Sequence, residues 1–259
     1  MIDSKSRIAL TIAGSDPTGG AGFQSDLRTF SAMGVYGLSI ASVLTAQNTG
    51  GVHSIQDVPS DFVSSQLEVL LQDIFPDAAK TGMLYGRDVI SAIARGIRKY
   101  SLTNVVIDPV TVSSTGVTLI EEKGLDVIKG DLFPLAKVIT PNIYEAGLLA
   151  GMEVGSEEEM KEAAVILKEY GPGSVIITGG HLDDRAMDLL YDGEEFLSLE
   201  NERLPGEYHG TGCVFSASVT ACLALGYDIK EAVIKAKDFT YRAMKNALSV
   251  GKGMRLMNV

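Results

Sequence analysis

The feature that most narrows the fold is a repeated alternation of short, largely apolar runs with longer amphipathic stretches. Ile8–Ala13, Leu38–Leu44, Ala78–Met83, Val105–Asp108, Lys137–Thr140 and Val175–Thr178 read as strands. Ala21–Met33, Phe62–Ile74 and Val89–Tyr100 carry apolar residues at helical spacing. A strand apolar on both sides can face water on neither, so it belongs in a parallel sheet covered by helices on both faces. Ser156-Glu-Glu-Glu159 is a capping box ahead of a helix over Met160–Tyr170. Met187–Tyr191 and Glu195–Leu199, joined by Asp192-Gly193, predict a β-hairpin. Thr211–Leu225 and Ile229–Leu248 predict two closing helices. The expected fold class is α/β, with three α/β/α layers around a mostly parallel central sheet. The chain has 259 residues and shows no linker, repeat or low-complexity segment, so one domain over 1–259 is expected.

Charge narrows the partners. The net charge is −11, and no basic stripe of the kind that binds nucleic acid or a membrane surface is visible. An anionic substrate would have to be held by helix N-termini and a metal ion. No apolar run reaches the ~18 residues that span a bilayer. The polar start predicts no signal peptide. Cys213 and Cys222 on one helix would lie about 13.5 Å apart along its axis, too far for a disulfide. A cytoplasmic location is expected.

Ligands of open α/β sheets sit beyond the carboxyl ends of the strands, so the loops there matter most. Ala13-Gly-Ser-Asp-Pro-Thr-Gly-Gly-Ala-Gly22 links the first strand to the first helix. Its glycines let backbone approach a flat or anionic group. It is neither a Walker A loop nor Gly-x-Gly-x-x-Gly. His209-Gly-Thr-Gly-Cys213 opens an apolar helix. Its exposed amides and the helix dipole make an anion hole suited to a transferring phosphoryl group. Cys213, in the first turn, is expected to have a lowered thiol pKa and to accept a substrate proton. Cys222, mid-helix, reads as core. Asn142 and Glu145, in Thr140-Pro-Asn-Ile-Tyr-Glu145, can face one point and orient a hydrated Mg²⁺, or simply form a capping box. Asp108 closes a buried strand before Pro109, where a carboxylate serves a metal or phosphate. Gln47, in a loop over Thr45–Thr49, has an amide able to read the edge of an aminopyrimidine.

Together with Gly179-Gly-His181, these motifs stand in one order that closely resembles the hydroxymethylpyrimidine/phosphomethylpyrimidine kinase family of thiamine biosynthesis, within the ribokinase-like superfamily. The resemblance runs from about Ile8 to about Leu248. Singly the motifs are weak, but the ordered set is highly specific. It implies ATP with Mg²⁺, a homodimer, and phosphorylation of 4-amino-5-hydroxymethyl-2-methylpyrimidine and then of its monophosphate. It assigns Gly14, Asp16, Gly19, Gly20, Gly22, Asp26 and Gln47 to the pyrimidine. Asp108, Asn142, Glu145, Thr178, Gly180 and His209 fall to nucleotide and phosphates, with Asp108 and Glu145 holding the metal through water. Gly210, Thr211 and Gly212 would form the anion hole and Cys213 the base.

Two departures stand out. The family often has a methionine and then Lys-Ser-Gly where this chain reads Thr111-Val-Ser-Ser-Thr-Gly116, and a lysine where this chain has Thr178. Both losses bear on the second, more anionic phosphorylation. The stretch Asp108–Gly116 is the candidate lid. A pyridoxine/pyridoxal kinase would share the same chemistry, while a regulator without catalysis would be expected to lack Cys213, Asp108 or Glu145. Lys80, in Ala79-Lys-Thr-Gly-Met83, has no role legible in the sequence.

Overall fold

The computed structural model describes residues 6–111, 122–180 and 186–259. The chain starts with β1 (Ile8–Gly14), α1 (Gly22–Ala32), β2 (Tyr36–Asn48), β3 (Gly51–Asp57) and α2 (Ser60–Leu71). It continues through β4 (Ala78–Thr81), α3 (Arg87–Lys99), β5 (Val105–Ile107), α4 (Glu122–Val127) and β6 (Val138–Ile139). Then come α5 (Ile143–Ala150), α6 (Glu157–Lys168), β7 (Val175–Gly179) and the hairpin β8 (Ala186–Tyr191) and β9 (Phe196–Asn201). The closing elements are β10 (Tyr208–His209), α7 (Thr211–Ala224), α8 (Ile229–Lys245) and β11 (Arg255–Leu256).

Nine strands form one sheet in the order β3-β2-β1-β4-β5-β6-β7-β8-β9. The six from β2 to β7 are parallel, and β3, β8 and β9 are antiparallel additions at the edges. Both faces are buried, and the strands show why they read as continuous apolar runs. Leu10, Ile12, Val105, Ile107, Ile139, Val175 and Ile177 pack on one side against α2, α3, α5 and α6. The alternate residues Ala9, Val106, Val138 and Ile176 pack on the other against α1, α7 and α8. The sheet reverses its winding between β1 and β4, because β1 leads outward to β2 while β4 leads the other way to β5. Such a switch point is where open α/β sheets hold ligands.

Three features depart from the sequence reading. The stretch 45–48 belongs to β2, not to a loop. There β2 has run past its last pairing with β1, Gly14 with Val43, and its strand pairing is with β3, while Thr45 still bonds Ser15 through its amide and hydroxyl. The exposed, polar β3 and the two-residue strands β10 and β11 carry too few apolar residues to be seen in sequence. The Ser156 cap is present, and its hydroxyl accepts from the Glu159 amide. Among the described residues no helix is long and apolar enough to cross a membrane.

Two glycine loops are pressed backbone to backbone at the carboxyl end of the sheet. Gly210 has φ +89°, and a Cβ there would run into the carbonyl oxygen of Gly20. A Cβ on Gly20 would lie 2.7 Å from the His209 ring and 2.8 Å from Leu256. The C-terminal segment straps the same region. β11 pairs with β10, and Met254 N–H donates to the Thr49 carbonyl at the tip of β2. Gly210→Ala should therefore suffer twice, from the left-handed backbone and from the collision. The variant is expected to lose at least about 2 kcal/mol of unfolding free energy in denaturant titration. A loss within a few tenths would show that the loops have room to part.

Candidate active site

Helix α7 begins at Thr211, and its first internal bond runs from the Val214 amide to the Gly210 carbonyl. No side chain caps it. The amides of Thr211, Gly212 and Cys213 are thus the open end of a buried helix. Gly212 is exposed, and nothing lies within 4 Å of where its Cβ would be. These amides can receive an anion.

Cys213 is half-buried, and the Gly22 amide at the start of α1 faces its thiol. Two helix N-termini therefore meet at one sulfur. The expected lowering of its pKa does not follow. Burial pushes the thiol up to about 12, and the charges of Asp26 and Asp108 add to that, while Lys80 and the Gly22 amide oppose it. The resting group is a thiol. Cys222 is buried in the α7 core, and both cysteines are free.

Behind the thiol lies a row of buried charge. Lys80, fully buried, donates from Nζ to Asp26 Oδ1 at 2.8 Å and sits 3.9 Å from Asp108 Oδ2. Thr11 donates to Asp26 at 2.6 Å, and Ser216 to Asp108 at 2.7 Å. Burial alone would lower the Lys80 pKa, but Asp26, with Asp108 beyond it, outweighs this and raises it, so the ammonium is charged. Asp26 is a correction to the sequence reading. With no exposed surface and both oxygens engaged, it reaches no ring and acts through Lys80.

Asp108 and Glu145 sit at neighbouring strand ends, and both are buried. Glu145 accepts from the amides of Thr111 and Asn142, while Asn142 Oδ1 accepts from the Glu145 amide. This is the capping box of α5. The Asn142 side chain therefore caps the helix with the oxygen that the sequence reading gave to nucleotide. Burial and the Asp108 charge push Glu145 up to about 8. The hydroxyls of Thr81, Thr111 and Thr140, at the ends of this part of the sheet, are buried without a partner. Paired buried carboxylates beside orphaned hydroxyls fit a hydrated cation. Among the described residues no three His, Cys, Asp or Glu side chains gather for a metal, so other ligands would have to complete its shell. Thr178 is half-buried at the end of β7, and Gly180 is exposed beyond it.

The β1–α1 loop is organised by Asp16. Its carboxylate accepts from the amides of Thr18 and Ala21 and from the Thr18 hydroxyl, and it pairs with His209 Nε2 at 2.8 Å. Burial would raise its pKa, but the bonds from His209 and Thr18 outweigh this and hold it below the usual range. So Asp16 shapes the loop around Gly19 and Gly20 rather than meeting a ligand. Gly22 is held at φ +62° against the Gly14 carbonyl, which a Cβ would approach to 2.5 Å. His209, given to nucleotide and phosphates by the sequence reading, meets the Gln47 side chain, with Nε2 3.0 Å from the amide nitrogen, and pairs with Asp16. His181 and the 112–116 part of the candidate lid fall outside the described residues. Lys80 is the residue that sequence reasoning missed. A lysine between the alanines and the threonine of the short β4 run was the available signal.

Comparison with known proteins places the chain in a family. The phosphomethylpyrimidine kinase family pattern matches residues 16–258. The chain belongs to the phosphomethylpyrimidine kinase family. A hydroxymethylpyrimidine/phosphomethylpyrimidine kinase of Bacillus subtilis is 40% identical over 95% of this chain and 92% of its own. The thiamine biosynthesis bifunctional protein ThiED of Geobacter sulfurreducens is 44% identical over 94% of this chain, which spans only 50% of that longer protein. Among solved structures, an ADP complex of Bacillus subtilis pyridoxal kinase aligns with a TM-score of 0.91 and 40% identity, over 98% of this chain and 97% of that one. The Staphylococcus aureus pyridoxal kinase with AMP-PCP and pyridoxal gives 0.90 and 37%, over 98% and 93%. Clostridium difficile phosphomethylpyrimidine kinase gives 0.83 and 38%, over 92% and 100%. The fold is that of the ribokinase-like kinases.

Glu145 yields a stability test. Its carboxyl is raised from 4.5 to about 8 on folding. The folded state therefore holds the extra proton, and the contribution is fully present below about 4.5 and lost as pH rises through about 8. Between about pH 6 and pH 9 the melting temperature should fall more in the wild type than in Glu145→Gln. Parallel profiles would mean that Glu145 is not protonated in the resting fold.

Proposed function

We propose that this member of the family is an ATP-dependent kinase of 4-amino-5-hydroxymethyl-2-methylpyrimidine, and of its monophosphate, in thiamine biosynthesis. The single observation that carries the reading is the convergence at Cys213. The open amides of α7, the Gly22 amide and the buried Lys80 all meet there. The Bacillus subtilis relative supports the substrate class, and the AMP-PCP and ADP complexes of the structural neighbours support ATP as donor.

Each group has a task. The amides of Thr211, Gly212 and Cys213 receive the migrating phosphoryl group, whose charge spreads over its equatorial oxygens. Gly210 supplies the turn that aims them. Cys213 Sγ takes the hydroxymethyl proton. The resting thiol is raised partly by Asp108, so a divalent cation at Asp108 and Glu145 would remove one of the charges that hold it protonated. Gln47, on the projecting end of β2, meets the ring edge, and the Asp16-ordered loop over Gly19–Gly22 covers the ring. Thr178 and Gly180 line the nucleotide side. Asp108, Glu145 and the three threonine hydroxyls fit Mg²⁺ through water.

The same reading takes 1–259 as one kinase domain acting in the cytosol as a homodimer. Pyridoxal is the competing acceptor, because neighbours at 37–40% identity are pyridoxal kinases.

Cys213→Ala is expected to lower kcat by roughly 10²–10⁴, the usual worth of a positioned general base. An unchanged kcat would remove Cys213 from the chemistry. Side-by-side kcat/KM values should favour the pyrimidine alcohol over pyridoxal, and the opposite preference would reverse the assignment.

A further inference from the structure

Gln47 and His209 are far apart in sequence, yet their side chains meet at 3.0 Å. The hydrogens at this contact can be assigned. Asp16 is an ionised carboxylate that already accepts from two amides and a hydroxyl. It has no hydrogen to give. His209 Nε2, 2.8 Å from Asp16 Oδ2, must therefore be the N–H. That hydrogen points to Asp16 and leaves Nε2 no lone pair, so an amide N–H of Gln47 would find no acceptor there, and the atom that can face it, sharing the same hydrogen, is the amide oxygen. Thr45 leads to the same answer. Its hydroxyl spends its hydrogen on the Ser15 carbonyl at 2.8 Å, so the Gln47 atom 3.3 Å away must donate. Both neighbours put the amide oxygen at His209 and the nitrogen at Thr45. This is the reverse of the orientation in which the side chain is placed, and the two have the same outline.

We propose that His209 is a positioning residue that fixes the polarity of the Gln47 amide, and with it the order of donor and acceptor offered to the substrate ring. The proposal rests on the reading of Gln47 as the residue that meets the pyrimidine edge. With its oxygen on His209 and one N–H on Thr45, the amide turns its second N–H and a remaining lone pair outward in a set order. An aminopyrimidine edge, a ring nitrogen beside an amino group, matches that order in one ring orientation once the hydroxymethyl group points to Cys213. A hydroxypyridine edge presents a different sequence of donors and acceptors. The partners themselves are held. Asp16 anchors the ring nitrogen, β11 pairs with His209 through β10, and the same segment bonds Thr49 beyond Gln47.

The test is a double-mutant cycle on the pyrimidine alcohol with ATP. It uses Gln47→Ala, His209→Phe and the pair, and reads KM for both substrates, kcat and melting temperature. Gln47→Ala and His209→Phe are each expected to raise KM for the alcohol about tenfold, the worth of an oriented hydrogen bond. KM for ATP should hold, and kcat should fall less than KM rises. The double variant should be no worse than Gln47→Ala, because His209 then has no amide to orient. Losses that multiply, or a fall in kcat with ATP affinity and melting temperature, would make His209 a packing residue beneath Gly20 and overturn the proposal. If His209→Phe does not fold, His209→Gln, which carries an N–H at similar reach, should recover most of the KM, and a tenfold loss there would also overturn it. No change in KM from Gln47→Ala would sink the reading of Gln47 itself, a separate outcome from multiplying losses.

Discussion

Lys80 joins parts of the fold that would otherwise carry buried charge with no partner. It stands on β4 at the switch point of the sheet, between Asp26 of α1 and Asp108 at the end of β5. Thr11 of β1 and Ser216 of α7 complete the row. Removing one partner of a fully buried ion pair leaves a bare charge, which commonly costs about 3–5 kcal/mol. The row therefore fixes α1 against α7, and those two helices deliver their N-termini to Cys213. The open amides, the thiol and Asp108 take their positions around this one ammonium, while Glu145 is set by its own capping box.

Much of this could be read in the sequence, and the exceptions have physical causes. The parallel strands were legible because both of their faces are buried, so every residue from Val105 to Ile107 must be apolar. Most helices were legible from their spacing, though the short α4 was not, and Thr211 was legible as a helix start from the glycines on either side of it. The projecting end of β2 was not, because Thr45, Gln47 and Asn48 lie beyond the core and carry no apolar pattern. The short strands β10 and β11 are made by pairing across the fold, which no local signal records.

At the site, the residue types were legible and several tasks were not. Asp16, Asp26 and Asn142 look in sequence like groups that face a ligand. In the structure their oxygens are taken up by Thr18, Ala21 and His209, by Thr11 and Lys80, and by the Glu145 amide. A carboxylate in a loop says nothing about which distant donor will claim it. The Cys213 pKa shows the same limit. A helix N-terminus argues for a low value, but Asp26 and Asp108 come from distant parts of the chain and, with burial, reverse the sign. A protonated resting thiol also has a use. It is a poor nucleophile and becomes a proton acceptor only when its surroundings change.

The most direct test is a structure with AMP-PCP and the pyrimidine alcohol bound together. The account predicts Cys213 Sγ within about 3.5 Å of the hydroxymethyl oxygen, with γ-phosphoryl oxygens in hydrogen-bond reach of the Thr211, Gly212 and Cys213 amides. A thiol turned away from that oxygen, or a γ-phosphoryl group bound elsewhere than at the head of α7, would contradict it.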